Sequence, residues 1–143
     1  TAGGAGIFSI LGNGNVGIGV ETPTERLSVK GKIRAQELKV ETANWPDYVF
    51  SRDYQLPTLQ ETEKHIKDKG HLPGIPSAAE VKANGIDLGE MNAKLLQKIE
   101  ELTLHLIEMK KENIQDKTNI MELKKQLQQQ DIKINFLLKI NEN

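Results

Sequence analysis

The chain has 143 residues, room for one compact domain or a few small modules, and only 4% of them are aromatic. Nineteen Lys and Arg against 20 Asp and Glu leave a formal net charge of -1, which gives no electrostatic reason to expect nucleic acid or an anionic membrane as a partner. Cysteine is absent, which excludes disulfides, thiol catalysis and Cys-based zinc sites, and no run of 18 apolar residues is available to span a bilayer.

With so few rings, burial must come from aliphatic side chains on thin elements. A thin monomer exposes too much surface to be stable alone, so composition already leans toward an oligomer. The chain opens on Thr1-Ala2-Gly3-Gly4, with neither an initiator Met nor a signal-peptide pattern. It is read as the downstream part of a longer protein.

Residues 1–43 read as short strands broken by turns. Ile7-Phe8-Ser9-Ile10-Leu11 is a candidate strand, and Gly12-Asn13-Gly14-Asn15 a turn. Val16, Ile18 and Val20 alternate with Gly17 and Gly19, a period of two. Thr22-Pro23-Thr24 breaks the run, Leu27 and Val29 resume it, and Gly31 bends the chain before Ile33. Leu38 and Val40 alternate once more. Four or five such strands cannot bury a core within one chain. They are expected to form an intertwined β stalk with strands from neighbouring chains; an isolated β-meander is the alternative.

Residues 44–89 form an expected linker module. Trp45, Tyr48, Phe50 and Tyr54 are its aromatic cluster, either a small core or an exposed ligand patch, with core favoured because the β part must join the helical part here. Thr58 with Glu61 is a capping box, and Gly70 stops the helix it opens after Lys69. His71-Leu72-Pro73-Gly74-Ile75-Pro76 must be extended. Ser77 with Glu80 opens a second short helix that ends at Gly85.

Residues 90–143 predict a long coiled-coil helix, roughly 75 Å at 1.5 Å per residue. With Ile99 at a, the a positions are Ile99, Leu106, Asn113, Ile120, Leu127, Ile134 and Asn141. The d positions are Leu95, Leu102, Met109, Asp116, Leu123, Gln130 and Leu137. Asn113 and Asp116 interrupt the seam, where polar residues fix register at a cost in stability. Ile107, Ile114 and Met121 make a second stripe one step off a, which implies a phase shift or a contact on the flank. Glu112 at g and Lys117 at the following e can pair between chains. The heptads do not choose between two and three strands. Short Gly-rich strands closing around a threefold axis favour three, with the helices parallel.

The run Asn15-Val16-Gly17-Ile18-Gly19-Val20, Thr22-Pro23 and Leu27-Ser28-Val29-Lys30-Gly31-Lys32-Ile33 resembles the stalk end of phage and bacterial tail-fibre-like proteins. The blocks Asp47-Tyr48-Val49-Phe50, Asp53-Tyr54-Gln55-Leu56-Pro57, His71-Leu72-Pro73-Gly74-Ile75-Pro76-Ser77 and Gly89-Glu90-Met91-Asn92-Ala93-Lys94-Leu95-Leu96 resemble the C-terminal module of the same group. That module is distantly similar to the endosialidase-type intramolecular chaperone family, which implies trimerisation and fibre assembly. In the complete chaperones a Ser-Asp pair followed by a Lys marks self-cleavage. Here Ser51-Arg52-Asp53 departs from that pattern, so proteolysis is not carried over.

Other chemistry finds little support. Gly12-Asn13-Gly14-Asn15-Val16-Gly17 matches G-x-G-x-x-G, but Pro23 and a strand pattern follow where a dinucleotide site needs a helix. His65, His71 and His105 lack metal-ligand spacing, and no catalytic triad has a convincing context. No cofactor and no metal is expected. The fold class expected is α+β: an elongated homotrimer with an intertwined short-strand β stalk, a small helical linker module and a long parallel C-terminal coiled coil. The expected function is the C-terminal trimerisation and assembly module of a tail fibre, on a virion tail or extracellular fibre. Its expected partners are itself, an upstream fibre shaft and a host surface receptor. A self-cleaving chaperone and a glycan- or protein-binding module are the alternatives.

Overall fold

The computed structural model describes residues 8–41 and 45–141, with side chains as far as residue 138. The chain is α+β, with a small three-stranded sheet, three α-helices and one 3₁₀ turn among the described residues. It divides into two units, Thr1–Lys39 and Val40–Asn143.

The first unit holds the sheet, β1 (Phe8–Ile10), β2 (Val16–Ile18) and β3 (Leu27–Val29), in the order β1-β2-β3. β1 and β2 are antiparallel, with Ser9 opposite Gly17, and the turn between them closes through Leu11 N–H to Asn15 O and Gly14 N–H to Leu11 O, both 2.9 Å. Asn13 Oδ1 accepts from Asn15 N–H at 3.0 Å, an Asx-turn that explains the polar cluster. β3 runs parallel to β2, because residues 19–26 loop back around buried Pro23, whose carbonyl accepts from Asn15 Nδ2 at 3.1 Å. Gly17 is required in the central strand: a Cβ there would collide with the Val20 carbonyl oxygen and Ser9 Oγ.

One expectation needs correction here. Ile33, Leu38 and Val40 lie in irregular backbone, so three strands form among the described residues rather than four or five. Among the described residues no strand pairs with that segment, and a two-residue alternation without a ladder does not hold an extended backbone in place. The ladder of β2 is completed on both sides within the chain, while β1 and β3 each keep one free edge among the described residues. Ile7, assigned to the first strand from sequence, lies outside the described residues, as does the side chain of Asn141.

The second unit contains a 3₁₀ turn (Asp47–Phe50), α1 (Leu59–Lys69), α2 (Ala78–Asn84) and α3 (Leu88–Asn141). Both short helices begin at capping boxes. Glu61 N–H donates to Thr58 Oγ1 at 3.2 Å, and Thr58 N–H donates to Glu61 Oε2 at 2.9 Å. Ser77 and Glu80 repeat the arrangement at 3.3 and 2.7 Å. The Thr58 and Ser77 hydroxyls also donate to Glu61 Oε2 and Glu80 Oε2, both at 2.7 Å, and these bonds, followed by the backbone N–H bonds to the same oxygens, hold both carboxyls below the usual carboxylate range. Gly70 ends α1 in the left-handed region at φ 77°. α3 begins at Leu88, where Asp87 O accepts from Met91 N–H at 2.9 Å, and its 54 residues extend about 80 Å.

Only Val49, 2% exposed, is a buried large hydrophobic among the described residues. The chain exposes 12760 Å², against about 7,400 Å² for a compact monomer of 16.0 kDa.

Candidate assembly surface and the clamp beside it

The residues ahead of α1 fold back onto the first third of α3. Pro46 starts the 3₁₀ turn, Val49 N–H donates to Pro46 O at 2.9 Å, and the turn lies against α3 with Pro46 and Val49 buried. A polar network then fastens the segment. Tyr48 Oη donates to Gln97 Oε1 at 3.0 Å, and Tyr54 Oη donates to Glu101 Oε1 at 2.5 Å. Gln97 Nε2 donates to Glu101 Oε1 at 2.8 Å and to Tyr54 Oη at 3.2 Å. Lys98 Nζ meets Glu101 Oε2 at 2.7 Å. Further along, His105 Nε2 lies 3.1 Å from Pro57 O; since the carbonyl can only accept, Nε2 carries the proton.

Burial shifts these groups in ways their partners explain. Desolvation, then the bond to Glu101, raises the Tyr54 hydroxyl to about 12. Desolvation acts to raise Glu101, but hydrogen bonds from Lys98, Tyr54 and Gln97 outweigh it and the carboxyl is lowered. Glu100 has no such help. It is 8% exposed, its Oε2 is buried without a hydrogen-bond partner, and desolvation followed by the Asp47 charge raises it.

The aromatic cluster is therefore split. Tyr54 is half-buried and packs its ring 5.9 Å from that of Tyr48. Trp45, Tyr48 and Phe50 are exposed, Trp45 by 54%. Within one chain the core expected from these rings is built instead from Val49 and Pro46, because the aromatic hydroxyls reach the polar groups of α3 and hold their rings at the rim.

At about 100° per residue, Gln97, Glu101 and Leu104 lie on the side of α3 roughly opposite Leu95, Ile99, Leu102 and Leu106. The clamp thus covers the polar side and leaves the heptad seam bare, from Leu95 at 45% exposure to Leu106 at 63%. Met109, Ile120, Leu123, Leu127, Ile134 and Leu137 continue the bare seam. Asn113, Asp116 and Gln130 are exposed within it, and Asn113 Nδ2 donates to Met109 O of its own helix at 2.8 Å. The second stripe, Ile107, Ile114 and Met121, is also exposed, so the chain's own clamp is not what it contacts.

Sequence reasoning missed Gln97, Lys98, Glu100, Glu101 and His105 as a docking surface. Polar residues off a seam normally face solvent. The available signal was Leu104, an apolar residue at f, directly across from the seam. His65 and His71 meet edge to face with ring centroids 5.3 Å apart. Among the described residues no group of three His, Asp or Glu is placed to hold a metal ion, and no helix is long and apolar enough to cross a membrane. No family model matches the chain, and no curated protein or solved structure is significantly similar to it.

Proposed function

We propose that this chain is the C-terminal trimerisation and assembly module of a tail fibre or fibre-like surface protein, acting without catalysis. The uncovered seam of α3 carries the reading: the chain fastens its own clamp to the polar side of the helix and keeps the apolar heptads free. Burying each apolar seam residue contributes about 1.5–3 kcal/mol, which summed over the heptads outweighs the interruption at Asn113 and Asp116. The 12760 Å² of exposed surface supports the same conclusion, because a stable chain of this size must cover much of that area.

In this reading three α3 helices run parallel and set one common register. The β unit of each chain is brought to the same level, and the free edges of β1 and β3 become available for pairing around the axis. The upstream shaft is the second partner, and the module lies at the end of a virion tail or an extracellular fibre. Ser51 follows the 3₁₀ turn with its side chain exposed and its N–H bonded to Tyr48 O, and self-cleavage is left out of this reading because Ser51-Arg52-Asp53 departs from the Ser-Asp pattern. A second reading, a patch for a host glycan or protein, is favoured by the exposure of Trp45, Tyr48 and Phe50.

Light scattering of the purified chain tests the proposal. A mass near three times 16.0 kDa is expected, and a single-chain mass at micromolar concentration would end it.

A further inference from the structure

The clamp does not stop at the polar side of α3. The start of α1 reaches the flank of the seam, held there by the His105–Pro57 contact at 3.1 Å. Two shallow grooves open beside it. The first is lined by Pro57, Leu59, Leu72, Leu102 and His105. The second is lined by Leu56, Leu59, His105, Met109, Glu108 and Glu112. Each groove includes one seam residue, Leu102 or Met109, so each runs into the seam without a break. Leu59, Leu72 and Leu102 are all exposed.

We infer that these grooves seat the α3 helix of a second copy of this chain, so that Leu59 and Leu72 of the clamp belong to the assembly interface. The inference rests on the oligomer reading above and adds the clamp to it. The grooves lie along the g flank of α3, where Lys98, His105 and Glu112 fall in the heptad register. In a parallel bundle that flank faces the next e position of the neighbouring helix. Those e positions are Thr103, Lys110 and Lys117. The groove beside Met109 offers Glu108 and Glu112, opposite in sign to Lys110 and Lys117 of the second copy. In the groove beside Leu102, Lys98 and Glu101 are already paired with each other at 2.7 Å, which leaves apolar surface to meet uncharged Thr103 of the second copy and its adjoining seam. The area is sufficient as well: the chain exposes roughly 5,000 Å² more than a compact monomer of its mass, where a stable interface takes about 800 Å² per partner.

The chain contains no cysteine, so paired thiols can be placed cleanly. Leu59→Cys with Lys110→Cys is one pair, and Leu72→Cys with Thr103→Cys is a second should the first not fold. A link formed within one chain leaves the mass of a single chain, so only bands at the mass of two or three chains report a link to another copy. After treatment with a short bis-maleimide, covalent dimers and trimers are expected on denaturing gels from the double variants, with neither single variant giving the trimer. A three-chain mass in solution without these cross-links would overturn the inference and leave the oligomer reading standing, with the grooves facing solvent or another segment. Cross-links at a two-chain mass would keep the grooves and overturn the trimer. A monomer would overturn both.

Discussion

The Tyr54 hydroxyl donates at 2.5 Å to Glu101, a residue 47 positions away that is itself only 7% exposed. This bond joins the segment before α1 to the middle of a three-donor network on α3, and it lets the clamp stay on the polar side of the helix.

Removing that hydroxyl should loosen the clamp. Tyr54→Phe leaves a buried carboxylate oxygen with Gln97 as its remaining partner, at a cost of about 1–3 kcal/mol. Chemical denaturation should register that loss. Alkaline pH should do the same to the native chain. The folded pKa of Tyr54 is raised from 10.0 to about 12, so its contribution is complete below pH 10 and is lost as pH climbs through the folded value. A tyrosinate absorbance titration should show a late component that Tyr54→Phe deletes.

Glu100 predicts the opposite behaviour under substitution. Its carboxyl is raised by desolvation and then by Asp47, so the folded state favours the protonated form and gains stability as pH falls through the folded pKa. Glu100→Gln removes the buried charge. Thermal melts should show a higher Tm than the native chain at neutral pH, with the acid-side gain reduced. An unchanged profile would mean that Glu100 is hydrated in solution.

The polar interruption of the seam should trade stability for specificity. Asn113→Ile combined with Asp116→Leu is expected to stabilise the assembly by about 2 kcal/mol per buried site. It should also broaden the mass distribution seen by sedimentation, because the residues that fix register are gone. A stabilised variant with one sharp mass would show that register is set elsewhere.

Trp45 separates the aromatic rim's two roles. At 54% exposure, Trp45→Ala should change stability by no more than about 0.5 kcal/mol if the ring faces solvent in the assembly. Binding to a host surface should then fall while Tm stays in place. A large drop in Tm would instead mark a ring buried between copies.

Several elements were legible before any coordinates. Thr58 with Glu61 and Ser77 with Glu80 announce helix starts because the bonds that satisfy the first free N–H groups span three residues. Gly70 announces a stop for an equally local reason, its left-handed backbone. The α3 heptads were legible because a repeat read along one helix is also a spatial stripe on it. The strands were less so. Ile33, Leu38 and Val40 carry the same alternation as β2 but find no partner among the described residues, and a ladder is a non-local fact.

The tertiary structure alone decided which face of α3 the clamp takes. Tyr48, Tyr54 and Pro57 reach Gln97, Glu101 and His105 through side-chain bonds spanning 43 to 49 residues, and no periodicity encodes such a meeting. By itself the sequence determined a helix with one apolar seam. The fold determined that the chain does not spend that seam on itself, because its polar side already satisfies the groups that the clamp has to bury.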